Sequence, residues 1–167
     1  MFMSQTIDDF RNFFKPDKEK QLFNLKDIVN KALSFVEASF LKHDITIEKQ
    51  MDDHVLCEGY PNEYTQVIIN LLNNSRDALV ENEISNPKVC VCLRKENGAS
   101  VLKIKDNAGG IPSSISQKIF DPYFTTRNEK KGTGLGLYMS KNIIEKNMQG
   151  RLSFENKEEG VEFSIEI

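Results

Sequence analysis

Apolar side chains recur every three or four residues along three segments of the chain, and this spacing predicts three amphipathic helices. The first helix begins after Asn24, a residue type favoured at the N-cap, and carries its apolar stripe to Phe40. The second spans about 61–82 and has Pro61 in its first turn, where proline is well tolerated. The third covers about 134–147 and follows a glycine-rich loop.

Shorter segments in which apolar and polar residues alternate predict six β-strands. These segments are 44–50, 54–58, 88–95, 100–105, 151–156 and 161–167. Residues 106–133 are predicted to be mostly loop, with a short helix near 113–118. Helices and strands in this order favour an α+β or mixed α/β fold, with the helices packed on one face of a largely antiparallel sheet.

A separate apolar stripe lies near the start of the chain, where an isoleucine and three phenylalanines recur at helical spacing over residues 4–14. Pro16 ends this helix because the residue before a proline avoids the α region. The polar residues that follow are typical of a linker. Since the stripe is large for so short a helix, we expect the sequence to be a fragment of a longer protein.

Composition and charge exclude several classes of protein. The chain has 167 residues, 28% of them charged, and its formal net charge is −3. We therefore expect one soluble globular domain that binds neither nucleic acid nor an anionic membrane surface. The cysteines are Cys57, Cys90 and Cys92, and their odd, small number fits a reducing compartment. No apolar run reaches the roughly 18 residues of a membrane helix, and we identify no signal peptide.

Three short motifs carry candidate chemistry, and the first is the glycine-rich loop KGTGLGL at 131–137, just before the third helix. Glycines let a backbone approach a ligand closely, and the free N–H groups at a helix N-terminus favour phosphate. The spacing differs from both the Rossmann fingerprint and the P-loop. A loop that only caps the helix is the alternative interpretation.

The second motif is DNAGGIP at 106–112, directly after a predicted strand. A carboxylate such as that of Asp106 accepts hydrogen bonds and can therefore bind an exocyclic amine such as that of adenine. The glycines that follow leave room for a flat ring. The same residue types are common in simple turns, so this motif alone is ambiguous.

The third motif is the pair Asn70 and Asn74 on the second helix, where a spacing of four residues places both on one face. Two amides beside an apolar stripe are costly to bury without partners. An amide oxygen is a hard ligand that suits Mg²⁺, an ion that usually keeps several waters and the substrate phosphates. A solvated polar face is the alternative for either residue taken alone.

Taken together and in this order, the three motifs resemble the N, G1 and G2 boxes of a histidine kinase catalytic domain, in the superfamily of Bergerat-fold ATPases. The segment IFDPYFTT at 119–126 resembles the F box of the same family. The resemblance covers about residues 22–167. It implies a two-layer α+β sandwich, with a mixed, mostly antiparallel sheet covered on one face by about three helices, and a mobile ATP lid over about 113–133.

The resemblance implies ATP and Mg²⁺ as cofactors and assigns a role to each matching residue. Asn74 matches the asparagine that coordinates Mg²⁺ and Asn70 matches the first asparagine of that box, so both are candidate catalytic residues. Asp106 matches the residue that recognises the adenine amine, and Gly110 matches the glycine beneath the ring. Further candidate ATP-binding residues, including two phenylalanines that would anchor the lid by packing, are Ile111, Phe120, Phe124, Arg127, Lys131, Gly132, Gly134, Leu135, Gly136 and Leu137.

Some positions of the lid and of the boxes need separate comment. By the same resemblance, Arg127, Lys130 or Lys131 could reach a phosphate group. The sequence departs from the family pattern at Ala108, where the G1 box usually has glycine, and at Asp77, where many relatives have a basic residue. Alanine demands a negative φ but adds only one methyl group, so we expect adenine binding to survive.

Asn70 separates two branches of this superfamily. The hydrolysing relatives, which include gyrase and heat-shock chaperone ATPases, have a glutamate four residues before the Mg²⁺ asparagine, and that glutamate activates water as a general base. An amide cannot take a proton at neutral pH. The resemblance therefore implies a protein-histidine kinase that keeps the γ-phosphoryl group for a histidine, whose transfer needs mainly positioning and charge neutralisation.

The expected partners follow from the same resemblance, because neither His43 nor His54 lies in the context of a phosphoacceptor box. One partner is a dimerisation and phosphoacceptor domain of the same protein, with residues 1–15 as the end of one of its helices, 16–21 as linker and 22–167 as the catalytic domain. The other is a response regulator. We expect a homodimeric parent protein, with this part in the cytoplasm even if the parent is membrane-anchored. The alternative is an ATP-binding module that gates a partner surface without phosphotransfer.

Overall fold

The computed structural model describes residues 19–126 and 134–167. The helices in these ranges are α1 (Leu25–Lys42), α2 (Pro61–Glu81) and α3 (Gly136–Asn142), which continues into a π-helical turn at Ile143–Asn147. The strands are β1 (Gln21–Asn24), β2 (Thr46–Met51), β3 (Leu56–Gly59), β4 (Lys88–Glu96), β5 (Ala99–Asp106), β6 (Arg151–Asn156) and β7 (Val161–Glu166).

In this part of the chain, five strands form one mixed sheet in the order β2-β4-β5-β7-β6. The β2–β4 pair is parallel and the other three pairs are antiparallel. Along β4 the side chains of Val89 and Val91 are buried, whereas Cys90 and Cys92 lie on the opposite, half-buried face. The buried face packs against the apolar stripes of the helices and forms one core. The predicted α+β architecture, mostly antiparallel with helices on one face, is confirmed.

The start of α1 is fixed by its N-cap, as the sequence predicts. The Asn24 side-chain oxygen accepts a hydrogen bond from the Lys26 backbone N–H at 3.0 Å, which satisfies one of the free donors of the first turn. Asn24 Nδ2 also donates to the Asp53 carbonyl at 2.9 Å. One side chain therefore caps the helix and attaches it to the loop between β2 and β3.

Helix α2 crosses the core and presents its polar edge to the site described below. Pro61 occupies its first turn, and its apolar stripe is fully buried at residues such as Ile68 and Leu72. Asn70 and Asn74 lie beside that stripe and are half-buried. The 3.6-residue period of the sequence thus places two amides and an apolar face on one helix.

The structure differs from the sequence-based expectations at three places. Strand β1 pairs with β3 and was not predicted, because four residues give too little alternation to detect. The helix predicted near 113–118 is wrong: the chain forms successive turns, in which Ile115 and Lys118 donate to carbonyls three residues earlier. The last helix begins at Gly136, about two residues later than predicted, and its final five residues, Ile143–Asn147, form a π-helical turn.

The predicted segments 1–15 and 16–21 fall almost entirely on residues 1–18, which lie outside the described ranges, so the domain boundaries stay predictions. Across residues 19–126 and 134–167, no helix is long and apolar enough to cross a membrane.

Candidate functional site

A cleft of about 420 Å³ opens beside α2 and contains residues from all three sequence motifs. Its walls are α2, the loop that follows β5, the turns before residue 126 and the N-terminus of α3. The predicted site residues that line it are Asn70, Asn74, Asp106, Gly110, Ile111, Phe124, Gly134, Gly136 and Leu137. The fold therefore brings together residues that are widely separated along the chain.

The two asparagines of α2 lie one turn apart and both face this cleft. Asn70 Nδ2 donates a hydrogen bond to the buried hydroxyl of Ser140 on α3, at 3.0 Å. A Cβ added at Gly136 would lie 2.9 Å from Asn70 Cγ, so any larger residue there would force the Asn70 amide to shift. Asn70 thus attaches α3 to α2, while Asn74 offers an amide oxygen one turn further along.

Asp106 lies at the end of β5 and is only 4% exposed. Its Oδ1 accepts hydrogen bonds from the backbone N–H groups of Ala108, at 3.0 Å, and of Val161, at 3.5 Å. Burial raises the pKa of Asp106 above its usual value, although these two bonds and one from the Ser75 hydroxyl oppose the shift. The carboxylate is held in a fixed orientation at the inner end of the cleft.

The loop after Asp106 depends on glycine at two positions. Gly109 and Gly110 have φ values of +99° and +82°, which side chains rarely adopt. Ala108 has no such positive φ, so the methyl group that replaces the usual glycine is tolerated by the backbone. It is buried, and its carbonyl accepts a hydrogen bond from Asn82 Nδ2 at 2.8 Å. The backbone requirement for alanine is therefore met, and the survival of adenine binding stays a prediction.

Two predicted residues that the structure describes, Phe120 and Leu135, are absent from the lining of the cleft. Phe120 packs against Phe154, with ring centroids 6.1 Å apart, and Lys141 Nζ lies 4.4 Å from the centre of the Phe120 ring. Leu135, just before α3, is half-buried and is also absent from the lining. The position of Phe120 supports a packing role, whereas Phe124 reaches the cleft itself. The predicted lid residues Arg127, Lys130, Lys131 and Gly132 lie outside the described ranges.

The structure adds residues that the sequence analysis did not single out as site residues. Ser75 bonds to Asp106, and Arg76 donates from Nε and Nη2 to Asp77, at 3.0 and 2.9 Å, beside the cleft. The position where many relatives have a basic residue therefore carries an acid paired with its neighbour. A serine inside an apolar helical stripe was the one signal that pointed to such a contact.

The donor set is compatible with a bound magnesium ion. Asn74, which lines the cleft, has one hard oxygen that could bind the ion, and Mg²⁺ is commonly held by one or two protein oxygens together with waters and substrate phosphates. Among the residues the structure describes, no group of three or more His, Cys, Asp or Glu side chains could hold a metal ion.

Comparison with known proteins identifies the family. Residues 59–167 match the family of histidine kinase-, DNA gyrase B- and HSP90-like ATPases. The chain belongs to this family. Family members bind ATP through this domain, so the chain carries an ATP-binding domain. The resemblance to histidine kinase catalytic domains inferred from the three motifs is confirmed.

Individual members of this family match over most of the chain. The chain is 37% identical to the two-component sensor PprA of Pseudomonas aeruginosa over 140 residues, which are 81% of the chain and 15% of that protein. It is 31% identical to sporulation kinase A of Bacillus subtilis over 148 residues, which are 87% of the chain and 23% of that kinase. The chain therefore spans less than a quarter of the length of these two relatives.

Solved structures of family members agree with the fold. The catalytic domain of histidine kinase ThkA superposes with a TM-score of 0.78 at 30% identity, covering 89% of this chain and 97% of that domain. ThkA in complex with the response regulator TrrA matches with a TM-score of 0.74 at 25% identity, covering 99% of this chain and 46% of that one. This chain is thus a homologue of histidine kinase catalytic domains.

Proposed function

We propose that the chain is the catalytic domain of a sensor histidine kinase, which transfers the γ-phosphoryl group of Mg-ATP to a histidine on a dimerisation domain of the same protein. The observation that carries the proposal is that one cleft is lined by Asn74, Asp106, Gly110 and Gly136 together. These residues supply a metal ligand, a base-binding carboxylate and two points of close backbone approach.

The base-binding end of the cleft is formed around Asp106. Two backbone amides hold one oxygen of this carboxylate, so little reorganisation is needed when a ligand binds. An exocyclic amine such as that of adenine would donate to the carboxylate, and the glycine backbone at 109–110 leaves space for the ring. A base that presents a carbonyl oxygen at this position would be repelled, which supports selection of adenine.

The phosphate-binding end is formed by α2 and the start of α3. The oxygen of Asn74 would hold Mg²⁺, and the bound ion would neutralise charge on the β- and γ-phosphates. Gly136 at the start of α3 and Gly134 just before it let the backbone approach the phosphates. These residues bind and orient the triphosphate rather than exchange protons with it.

The identity of residue 70 supports transfer to a histidine rather than hydrolysis. Its side chain is an amide, which cannot remove a proton from water, and its nitrogen is already bonded to Ser140. An imidazole nitrogen needs no such base. It would attack the γ-phosphorus, the bond to the bridging oxygen would break, and ADP would leave. The phosphoryl group would then pass to an aspartate of a response regulator, the class of partner seen bound to ThkA.

The test uses calorimetry of ATP binding, with and without Mg²⁺, together with labelled-phosphate transfer to an added dimerisation domain. We expect Asn74→Ala to abolish transfer and to remove the effect of Mg²⁺ on ATP affinity, while the melting temperature stays close to that of the wild type. Asn30→Ala, on the exposed face of α1 and outside the lining of the cleft, is the matched control.

Transfer retained by the Asn74→Ala variant would contradict the metal role. Binding of ATP by the wild type without transfer to any supplied acceptor would favour the alternative, in which ATP is only a ligand that gates a partner surface. Rapid steady-state hydrolysis by the isolated chain would place the protein with the hydrolysing branch instead.

A further inference from the structure

The side chain of Asn156, the last residue of β6, binds both backbone polar groups of one residue in the loop after β5. The Ile111 N–H donates to Asn156 Oδ1 at 2.8 Å, and Asn156 Nδ2 donates to the Ile111 carbonyl at 2.8 Å. Because an N–H must face an oxygen at each end, this pair also fixes which way the amide points. The side chain reproduces the pairing that a neighbouring strand would supply.

The loop that is held in this way would otherwise be loose. Gly109 and Gly110 both have positive φ values, and a backbone with two such glycines has many alternative conformations. A Cβ at Gly110 would lie 2.9 Å from Asn156 Oδ1 and 3.3 Å from the Gly160 carbonyl, so the loop backbone lies close to both residues. The two hydrogen bonds therefore restrict the segment on which the base of a nucleotide would rest.

The turn between β6 and β7, at residues 157–160, also contacts this loop. The Gly109 N–H donates to the Glu159 carbonyl at 2.9 Å, and Lys157 N–H donates to the Gly160 carbonyl at 2.7 Å, which closes the turn. Gly160 lies against the backbone of Asp106, where an added Cβ would come within 2.8 Å of Asp106 Oδ1. The turn thus holds the loop at Asp106 and at Gly109, and Asn156 holds it at Ile111.

We propose that Asn156 is a positioning residue for the base-binding end of the cleft, which holds the 106–111 loop in the conformation that receives adenine. This inference rests on the proposed ATP site. Asn156 itself is not in the lining of the cleft, whereas Ile111 is, so Asn156 acts through Ile111.

The location of Asn156 separates this role from a role in stability. Its side chain is exposed, and neither of its hydrogen bonds is buried. The two bonds order this loop and involve no core residue, so their loss should change the ordering of the loop and leave the global unfolding of the core nearly unchanged. Losing the side chain should therefore free the loop without disturbing the core, and the cost should appear as weaker nucleotide binding.

The test compares Asn156→Ala with Asn147→Ala, an exposed asparagine whose Nδ2 donates to both carboxylate oxygens of Glu63 at 3.4 Å and which does not line the cleft. We expect Asn156→Ala to raise the dissociation constants of ATP and ADP by the same factor, about tenfold for roughly two exposed hydrogen bonds. Transfer at saturating ATP should keep its rate, so the KM for ATP changes and kcat does not. Asn147→Ala should leave these values unchanged.

Amide hydrogen exchange provides a readout that needs no nucleotide. In the free wild-type protein the Ile111 N–H should be protected, and in Asn156→Ala it should exchange at least about tenfold faster, while core amides of β5 keep their protection. Asn156→Asp retains the size and the acceptor but places an oxygen against the Ile111 carbonyl. We expect it to lose ATP affinity as the alanine variant does.

The outcomes distinguish this inference from the proposed function. If the wild type binds no ATP, the proposed function fails, and the inference about an adenine site fails with it. If the wild type binds ATP and Asn156→Ala retains its affinity, the inference is wrong and the proposed function stands. The inference is also overturned if Asn156→Ala melts so much lower that unfolding explains its whole loss of affinity. Wild-type ATP affinity in Asn156→Asp would overturn it as well.

Discussion

Replacing Asp106 by asparagine separates what this residue does for binding from what it costs in stability. The side chain is 4% exposed and its Oδ1 accepts two backbone hydrogen bonds. An asparagine has the same shape, and its oxygen can accept the same two bonds. The substitution therefore removes a buried negative charge and leaves the local geometry in place.

The direction of the stability change follows from the raised pKa of Asp106. A folded-state pKa above the unfolded value, which is about 3.9, means that the folded protein prefers the neutral acid. The stabilising contribution is present below the unfolded pKa and is lost as the pH rises through the folded pKa. At pH 7.5 the wild type therefore retains a buried charge at a cost, and Asp106→Asn should be at least as stable.

The magnitude of the binding change follows from the hydrogen bond that is lost. In the wild type, the adenine amine would donate a hydrogen bond to the carboxylate. The variant can present an amide NH₂ group at that position, which cannot accept this bond. A hydrogen bond to a charged group contributes about 1.5–3 kcal/mol, so the dissociation constant of ATP should rise by about 10- to 150-fold. The variant should thus gain or keep stability while it loses affinity.

The assay measures thermal unfolding of both proteins from pH 4 to pH 8, together with ATP binding at pH 7.5. The difference in stability, variant minus wild type, should be smallest near pH 4 and should increase with pH, since every other carboxylate is common to both proteins. A variant that melts well below the wild type at pH 7.5 would refute the argument from burial. Unchanged ATP affinity would remove Asp106 from the binding site.

Two further predictions concern packing. Gly136→Ala should destabilise the fold by about 1–3 kcal/mol, because the new Cβ overlaps the Asn70 amide. In chemical unfolding, the double variant with Asn70→Ala should lose less stability than the sum of the two single variants. Strict additivity of the two losses would contradict the contact. Tyr64→Phe should leave the free energy of unfolding unchanged or raise it by about 1 kcal/mol, because the fully buried Tyr64 hydroxyl has no hydrogen-bond partner within the described ranges; a large loss on denaturant unfolding would show that the hydroxyl is satisfied.

Local patterns along the sequence were enough to predict α1, α2 and α3 and the residues that project from α2, but not to exclude a helix near 113–118. A period of 3.6 residues on α2 places Asn70 and Asn74 on one face beside the apolar stripe, and both line the cleft. Asp106 could be predicted at a strand end because the alternation of β5 stops there. These predictions rest on residues that are close in sequence, where geometry is nearly fixed by the backbone.

Contacts between distant segments could not be predicted in the same way. Asn156 and Ile111 are 45 residues apart, and their pairing depends on the register between β6, β7 and β5. The short strand β1 is likewise stable only because β3 lies beside it. A single asparagine at a strand end carries no sequence signal for such a contact, since the partner is a backbone group that every residue possesses.

Helix α2 connects the two ends of the proposed ATP site through adjacent residues. Asn74 faces the phosphate-binding end, while the hydroxyl of Ser75 bonds to Asp106 at the base-binding end. Adjacent residues of one helix therefore connect the proposed metal ligand with the proposed base-binding carboxylate. Because both residues are held by α2, the distance between the proposed metal ligand and the proposed base-binding carboxylate should change little when a nucleotide binds.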